Sequence, residues 1–495
     1  MDQVVILAGG HGSRMKAAIP KPMLEVLGVP MLGWVVQACE AADLRNICVV
    51  TGYKSQFIEH YLNNKYKTVL QAERLGTGHA VMQAVPVLEE NPDGNTLVLC
   101  GDAPFMDSET IQQAYQLHTA QGNAVTVITA KLDNPFGYGR ILRSETGIAA
   151  IVEEKDATDA QRQIQEVNSG AYWFRTADLL TLLKGLSQSN VQGEYYLTDT
   201  IGLALEQGKK AGAYLTDNTD VVLGANTRKD LLHLNEVARW KVLEKHMENG
   251  VNFINTDGII IGKDVEIGAE TTILPGTQLK GRTKIGARST IGPNCIIENC
   301  VVGEYVILNY VQAYESVIED SVKIGPFVHI RPNSHIRSGV KIGDFVEVKN
   351  SVVGESTAIA HLTYVGDSDV GKKVNFGCGT VTVNYDGIKK NRCVIGDNCF
   401  IGCNTNLIAP VKLGKGAYTA AGSTVTKDVP DYALAVERAD LKVKEGYSLK
   451  KLKSKLFPED KKRINEKLLI IGTIKSTALA AFASADAASV GYGEK

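Results

Sequence analysis

Aliphatic side chains recur at every sixth position over much of the second half of this chain. Three runs share the spacing, with a phase slip between them: Ile261, Ile267, Ile273, Leu279, Ile285 and Ile291; Ile324, Ile330, Ile336, Ile342 and Val348; Ile395, Ile401, Leu407, Leu413, Thr419 and Val425, where only the threonine departs. A helix repeats every 3.6 residues and a strand every two, so neither explains this period. The spacing predicts a three-sided parallel β-helix, in which each coil is buried by stacking on its neighbours.

The repeat alone leaves open whether this β-helix is catalytic or only holds subunits together. Insertions that interrupt a solenoid often carry its function. The largest interruption, residues 383–394, is polar and contains the run NYDGIKK. We therefore expect a functional site near this break.

The first half has a different pattern, in which short apolar runs alternate with segments of helical period. Strands are predicted at 4–7, 47–51, 97–100 and 125–128, and helices at 30–40, 78–85 and 228–249. This alternation is typical of a Rossmann-like α/β domain with a mostly parallel mixed sheet. We predict such a domain over 1–227, a linker helix over 228–250, the β-helix over 251–438 and a partly helical or disordered tail over 439–495.

The net charge limits the classes of binding partner, and the cysteine content indicates the cellular compartment. The formal net charge is -2, so no global basic field is available to bind nucleic acid or an anionic membrane. We therefore expect small phosphorylated ligands. The nine cysteines form no CxxC pairs, which predicts free thiols. The N-terminus shows no signal-peptide pattern, so we expect a cytoplasmic location without membrane insertion.

A glycine-rich turn follows the first predicted strand. The segment LAGGHGSR runs from Leu7 to Arg14, and Lys21 comes seven residues later. Glycines let backbone amides approach phosphate oxygens, while Arg14 and Lys21 add positive charge. The spacing fits neither a Walker loop nor a dinucleotide fingerprint. The alternative is a plain tight turn.

An aspartate follows another predicted strand at the same sheet edge. Asp102 comes two residues after Cys100, where the carboxyl ends of parallel strands gather ligands and their magnesium. A single aspartate at this place can also be only a turn residue. Together with the glycine-rich turn it predicts a site for nucleotidyl transfer, because that reaction needs Mg²⁺ to neutralise the triphosphate.

Motifs in both halves resemble the bacterial family of bifunctional N-acetylglucosamine-1-phosphate uridyltransferases and glucosamine-1-phosphate N-acetyltransferases. The first half carries LAGGHGSRM, QAERLGTGHA, CGDAPF, GYGRI, IVEEKDAT, EVNSGAY and GEYYLTD in order, and the second carries HIRP, GDFVEVKNS, HLTYVGD, NFGCGT, NYDG and TAAGSTVTKDVP. The resemblance spans residues 1 to about 438. It implies a left-handed β-helix, a homotrimer, and synthesis of UDP-N-acetylglucosamine for peptidoglycan and lipopolysaccharide.

For the first half, the resemblance implies a site for UTP and N-acetylglucosamine-1-phosphate. Arg14 and Lys21 would be catalytic, and Asp102 and Asn226 would hold Mg²⁺. The residues implied to bind the nucleotide and the sugar are Leu7, Gly10, Lys21, Gln71, Gly76, Thr77, Gly139, Glu153, Asn168 and Asn226.

For the second half, the resemblance implies that His361 removes a proton from the sugar amine as it attacks acetyl-CoA. An imidazole suits this role at neutral pH. Glucosamine-1-phosphate would be bound by Arg331, Lys349, Tyr364, Asn375 and Lys390. Acetyl-CoA would be bound by Asn384, Tyr385, Cys403, Ala421 and Arg438.

The sequence also departs from the family pattern at a few positions. Pro22 and Met23 follow Lys21, as in glucose-1-phosphate nucleotidyltransferases, and Cys100 stands where an aromatic residue is usual. Ala358 replaces a common lysine, and Cys403 replaces a serine. Two alternatives accompany the bifunctional prediction: a monofunctional nucleotidyltransferase with a structural β-helix, and a non-catalytic regulatory subunit, which would be expected to lack Lys21, Asp102 or His361.

Overall fold

A computed structural model of the protein describes residues 2–10, 12–145, 147–452, 462–463, 465–474 and 476–478. The chain forms two compact units, residues 1–435 and residues 436–495. In the second unit, a helix spans Tyr447–Leu452 and residues 465–474 are helical. No helix among the described residues is long and apolar enough to cross a lipid bilayer.

The first part of the larger unit is an α/β domain. Its strands are β1 Gln3–Leu7, β2 Glu25–Val26, β3 Val29–Pro30, β4 Ile47–Thr51, β5 Lys67–Leu70, β6 Asn95–Cys100, β7 Val125–Lys131, β8 Arg140–Ser144, β9 Gly147–Val152, β10 Glu166–Arg175 and β11 Ala211–Thr216. Its helices are α1 Met31–Ala41, α2 Ser55–Leu62, α3 Thr77–Gln83, α4 Val85–Leu88, α5 Ser108–Gln121, α6 Asp159–Arg162, α7 Thr176–Leu183, α8 Asp199–Glu206 and α9 Arg228–Glu248, with short 3-10 turns at Ser13–Met15, Lys21–Met23 and Thr219–Val222.

The sheet of this domain is mixed, as predicted. Its central order is β11-β7-β10-β6-β1-β4-β5, and β8 and β9 form a hairpin attached to β10. Among the seven central strands β10 alone runs antiparallel to both neighbours. The parallel strands β1 and β6 end at Leu7 and Cys100, which are register partners. The glycine-rich turn and Asp102 therefore leave the sheet at the same edge.

The second part of the larger unit is a β-helix with three parallel faces. The first face contains Asn252–Phe253, Thr272–Ile273, Thr290–Ile291, Ile307–Leu308, Lys323–Ile324, Lys341–Asp344, Ala358–His361, Asn375–Phe376, Phe400–Ile401, Tyr418–Thr419 and Leu434–Ala435. The second contains Ile260–Ile261, Gln278–Lys280, Ile296–Glu298, Val311–Tyr314, Val328–Ile330, Glu347–Lys349, Tyr364–Gly366, Val381–Val383, Asn406–Ile408 and Thr424–Val425. The third contains Glu266–Ile267, Lys284–Ile285, Val301–Val302, Val317–Ile318, His335–Ile336, Val352–Val353, Ser368–Val370, Cys393–Ile395 and Val411–Leu413.

The aliphatic side chains of the repeat fill this β-helix. Ile261 pairs with Leu279, and Ile273 pairs with Ile291, so these coils return in register with the next after 18 residues. All four side chains are buried in one continuous core that also includes residues of α9. The predicted break appears as a loop over 384–392 between two strands.

Helix α9 connects the two parts, and its capping residues explain where it begins and ends. The Thr227 side chain accepts a hydrogen bond from the Asp230 amide while Asp230 accepts one from the Thr227 amide, which forms a capping box. Gly250, at φ +82°, follows the helix end. Near the other domain, the Arg239 guanidinium donates to the backbone carbonyls of Thr256 and Ile259. The helix therefore contacts the first coil directly.

Candidate active sites

Two cations, a carboxylate and an amide meet beside the glycine-rich turn. The Lys21 ammonium forms an ion pair with Asp102 and donates to Asn226 Oδ1 at 2.8 Å. Arg14 Nη2 donates to the same oxygen at 3.2 Å. The sequence placed these four residues up to 212 positions apart. Their convergence at the carboxyl edge of the sheet creates a positively charged site that also has oxygen ligands.

Close backbone packing shapes the turn around this cluster. Gly12 has φ +61°, and a Cβ there would lie 2.9 Å from Lys21 Cβ, so a larger residue would displace the lysine. A Cβ on Gly9 would lie 2.8 Å from Gln71 Oε1, which shows that Gln71 reaches the turn. Leu7 ends β1, and Gly10 is exposed in the turn. The backbone beside Lys21 is therefore open to a ligand.

The residues expected to bind the uracil and ribose are held in place by hydrogen bonds. Gln71 Nε2 donates to the Gly76 carbonyl, and Thr77 Oγ1 accepts from the Leu197 amide. Gly76 has φ +107°, and a Cβ there would lie 2.5 Å from the Tyr195 carbonyl. This backbone conformation requires glycine.

The three residues expected to hold the sugar also lie together. A Cβ on Gly139 would be 3.5 Å from Glu153 Oε1 and 3.6 Å from Asn168 Cβ. The Asn168 amide donates to the Gly139 carbonyl at 2.9 Å. Burial raises the pKa of the Glu153 carboxyl, and the nearby Asp156 carboxylate raises it further. Such a carboxyl is suited to hydrogen bonding with a neutral hydroxyl group.

Sequence reasoning did not identify two residues that orient these groups. Asp230 Oδ2 accepts from the Asn226 amide at 2.8 Å and so fixes the residue that contacts Arg14 and Lys21. The signal was present as the Thr227-to-Asp230 capping pattern. The buried Arg140 guanidinium pairs with Glu154 at 2.7 Å and so ties the strand after Gly139 to the segment that carries Glu153.

A second cluster lies on the β-helix beside the predicted break. Arg331 follows a strand of the second face, and Lys349 and Tyr364 lie on its next two strands. Lys390 lies in the 384–392 loop, and its proximity lowers the pKa of the Lys349 ammonium group. Because two ammonium groups repel each other, this arrangement favours an anion between them.

The loop that carries Lys390 is held by its own hydrogen bonds. Asp386 accepts from the amides of Ile388 and Lys389, which lowers its pKa to about 2. Asn384 is buried, and its amide group donates to Asp367 and to Tyr364 Oη. The start of the loop is therefore fixed beside Tyr364 of the second face, while Tyr385 is exposed.

His361 lies on the first face, next to the corner that leads to the second face, where this cluster lies. It is exposed at the end of its strand on the first face, where Asn375 lies on the next coil. Leu362, at φ +40°, turns the chain from His361 to the second face. The His361 carbonyl accepts from Thr363 Oγ1 at 2.6 Å. His361 lines a groove of about 420 Å³, and Tyr364 lines another of about 640 Å³.

The residues expected to bind acetyl-CoA lie further along the chain. Cys403 and Ala421 are exposed on consecutive coils beyond Asn375. Arg438 belongs to the second compact unit, so the larger unit holds only four of the five residues of this group. The larger unit thus carries two separate clusters, one on each domain.

The fold and the two clusters define a nucleotidyltransferase joined to a hexapeptide-repeat transferase. The nucleotidyl transferase family model matches residues 3–240, and the bacterial transferase hexapeptide model of six repeats matches residues 315–350 and 392–427. A bifunctional protein GlmU of Acetivibrio thermocellus is 46% identical over 448 residues, covering 90% of this chain and 97% of that protein.

Two further relatives show the same extent of similarity. Bifunctional proteins GlmU of Caldanaerobacter subterraneus and Streptococcus agalactiae are 46% and 45% identical over 450 and 451 residues, in each case 91% of this chain and 98% of the relative. The chain belongs to the family of bifunctional GlmU proteins. Membership confirms the predicted left-handed β-helix and the prediction of a bifunctional enzyme with a nucleotidyltransferase half and an acetyltransferase half.

Proposed function

We propose that the chain makes UDP-N-acetylglucosamine in two steps. Acetyl-CoA first acetylates the amine of glucosamine-1-phosphate, and the product then attacks UTP and releases pyrophosphate. The proposal is supported above all by one observation. Four residues lie together at one edge of the sheet: Arg14, Lys21, Asp102 and Asn226. A triphosphate needs such a combination of cations and oxygen ligands.

In the first domain, positioning and charge neutralisation would drive uridylyl transfer. Arg14 and Lys21 would bind phosphate oxygens of UTP and stabilise the charge that develops on them. Gln71, Gly76 and Thr77 would hold the uracil and ribose against the turn that contains Gly10. Glu153 and Asn168 would bind the sugar hydroxyls beside Gly139, which aligns the sugar phosphate for in-line attack on the α-phosphorus.

We include Mg²⁺ as the cofactor of this domain, held by Asp102 and Asn226. Their oxygens both lie against the Lys21 ammonium group, so two hard oxygen ligands face one point. Mg²⁺ prefers this kind of ligand and completes its shell with water and substrate phosphate. When bound, the ion supplies positive charge to the triphosphate.

In the β-helix, His361 would act as the general base of acetyl transfer. Its imidazole would take the proton of the sugar amine as the nitrogen attacks the thioester carbonyl, and coenzyme A would leave as the thiol. Arg331, Lys349 and Lys390 would bind the sugar phosphate, with Tyr364 and Asn375 beside them. Acetyl-CoA would lie along Asn384, Tyr385, Cys403 and Ala421 of the larger unit.

We also propose that three chains assemble around this site. His361 and the phosphate cluster lie on different faces, so a neighbouring β-helix would close both grooves and complete one site. The corner between these faces carries an exposed ladder of apolar side chains, Tyr310, Phe327, Phe345 and Leu362. The Phe327 and Phe345 rings stack with centroids 5.3 Å apart. Exposed apolar groups in a row fit a subunit interface.

A cytoplasmic location accompanies this proposal. The structure describes all nine cysteines, and each is a free thiol, as expected in a reducing compartment.

Two assays on the full chain test the proposal. Pyrophosphate release should be faster with UTP and N-acetylglucosamine-1-phosphate than with glucose-1-phosphate. Thiol release from acetyl-CoA should require glucosamine-1-phosphate. A preference for glucose-1-phosphate would overturn the sugar assignment, and absence of thiol release would leave only the nucleotidyltransferase half of the proposal.

Replacing Lys390 by Met should weaken binding of glucosamine-1-phosphate. Loss of one charge-assisted hydrogen bond to the phosphate should raise KM for the sugar phosphate about 10- to 100-fold. Steady-state kinetics with acetyl-CoA held in excess measure this change. Lys389→Met is the matched control, because Lys389 bonds Asp386 through its backbone amide and carbonyl. A rise in KM for acetyl-CoA instead would contradict the assignment.

A further inference from the structure

Two cysteines stand in register on adjacent coils of the β-helix. Phe376 pairs with Ile401, which aligns Cys378 with Cys403 two residues further on. Two backbone hydrogen bonds of 2.7 Å fix this alignment, from the Gly377 amide to the Ile401 carbonyl and from the Asn404 amide to the Cys378 carbonyl. Adjacent strands lie about 4.8 Å apart. Disulfides span Cα separations of about 4.4 to 6.8 Å, so the two backbones are close enough for a bridge.

Cys403 is exposed, Cys378 and Cys100 are partly exposed, and the other six cysteines are buried. Burial raises the thiol pKa of seven of the nine, to about 11 or 12 for Cys39, Cys48, Cys100, Cys295, Cys300 and Cys393, and also raises that of Cys399. Thiolates are the reactive form of cysteine, and oxidation follows thiolate character and exposure. Oxidation should therefore begin at Cys403.

The same register places the pair beside the acetyl-transfer residues. Ile359 pairs with Phe376, which puts Cys378 on the coil next to His361 at the equivalent position. Asp344 pairs with His361 on the preceding coil. The first face thus carries Asp344, His361, Cys378 and Cys403 at one level on four consecutive coils.

We propose that Cys378 and Cys403 form a reversible disulfide that switches off acetyl transfer, which rests on the function proposed for His361 and Cys403. With hydrogen peroxide as the oxidant, the Cys403 thiolate attacks one peroxide oxygen; the S–O bond forms, the O–O bond breaks and hydroxide leaves. The Cys378 thiolate then attacks the Cys403 sulfur, so that the S–S bond forms and the S–O bond breaks. Two electrons pass from sulfur to the peroxide, and the two thiol protons complete two molecules of water.

The bridge would block the site in two ways. The Cys403 side chain would no longer be free to contact acetyl-CoA. The Cβ atoms of a disulfide lie about 3.8 Å apart, which is closer than adjacent strands, so the bridge would draw together the coils that follow His361. Exposed bridges are readily reduced, as a regulatory disulfide requires, and Cys403 is exposed.

Peroxide treatment of the folded full chain tests the proposal. Two of the nine thiols should be lost to titration after denaturation, and peptide mass mapping should find Cys378 linked to Cys403. Thiol release from acetyl-CoA should be largely lost and restored by dithiothreitol, while pyrophosphate release from UTP should not change. Cys378→Ala should keep both activities before peroxide; after peroxide it should show no linked pair, and acetyl transfer lost through continued oxidation of Cys403 should not return with dithiothreitol. Cys295→Ala, which removes a buried thiol, should respond as the parent does.

Several other outcomes would overturn the proposal. A link between different cysteines, or a loss of acetyl transfer in Cys378→Ala that dithiothreitol fully restores, would overturn the proposal. Persistence of acetyl transfer in the bridged protein would also overturn it, as would a loss that dithiothreitol does not reverse. If the reduced chain shows no acetyl transfer, the function proposed for the β-helix fails, while mass mapping still decides whether the disulfide forms.

Discussion

Asp102→Asn should stop uridylyl transfer while leaving acetyl transfer at its parent rate. The substitution keeps the shape of the side chain but removes the carboxylate that faces Lys21 and, in our proposal, holds Mg²⁺. Loss of one preorganised electrostatic partner costs about 100- to 1,000-fold in rate, so pyrophosphate release should fall by at least about 100-fold. Release of pyrophosphate from UTP with N-acetylglucosamine-1-phosphate measures the effect.

A surface carboxylate provides the control for this variant. Asp93→Asn changes the same charge at an exposed position and should retain both activities. Equal loss of uridylyl and acetyl transfer in Asp102→Asn would mean that the substitution unfolds the chain or that the two sites are not separate. An undiminished rate of pyrophosphate release would remove Asp102 from the site.

His361→Ala should have the opposite effect. General base catalysis contributes about 100- to 10,000-fold, so thiol release from acetyl-CoA should fall by a factor in this range at neutral pH. Uridylyl transfer should not change, because His361 belongs to the β-helix and the glycine-rich turn belongs to the α/β domain. Single-turnover measurements of acetyl transfer separate loss of chemistry from loss of binding.

Another β-helix histidine serves as the comparison for His361. His335 pairs with Glu319 at 2.7 Å on the third face, away from the proposed site, so His335→Gln should retain both activities. Acetyl transfer that persists in His361→Ala at neutral pH would exclude this imidazole as the base.

The fold was predictable wherever a local period determined it. The six-residue spacing gave the β-helix and its register, because one aliphatic side chain per face must be buried at every turn. Helix α9 was predicted to end at Asn249 and ends at Glu248. The helix predicted over 78–85 is instead divided at Ala84 into α3 and α4. Pro86 explains the division, since it lacks the amide hydrogen that a continuous helix would use.

The candidate sites were predictable only in part. The glycine-rich turn and Asp102 could be located from strand ends, because parallel strands finish at a common edge. The hydrogen bonds of Asn226 to Lys21 and Arg14 join residues more than 200 positions apart, so no local pattern indicated them. The pairing of Lys349 with Lys390, and of Cys378 with Cys403, depends on how the 384–392 loop rejoins the solenoid. Spacing alone could not determine that alignment.

The stacking of coils also sets the distance along the solenoid between His361 and the coil that α9 contacts. Six inter-strand steps separate Asn252–Phe253 from Ala358–His361 on the first face. At about 4.8 Å a step, His361 stands about 29 Å along the solenoid axis from the coil that α9 contacts. In the function proposed above, N-acetylglucosamine-1-phosphate made at His361 would therefore have to leave the β-helix site before uridylylation, and unlabelled N-acetylglucosamine-1-phosphate added from outside would compete with it.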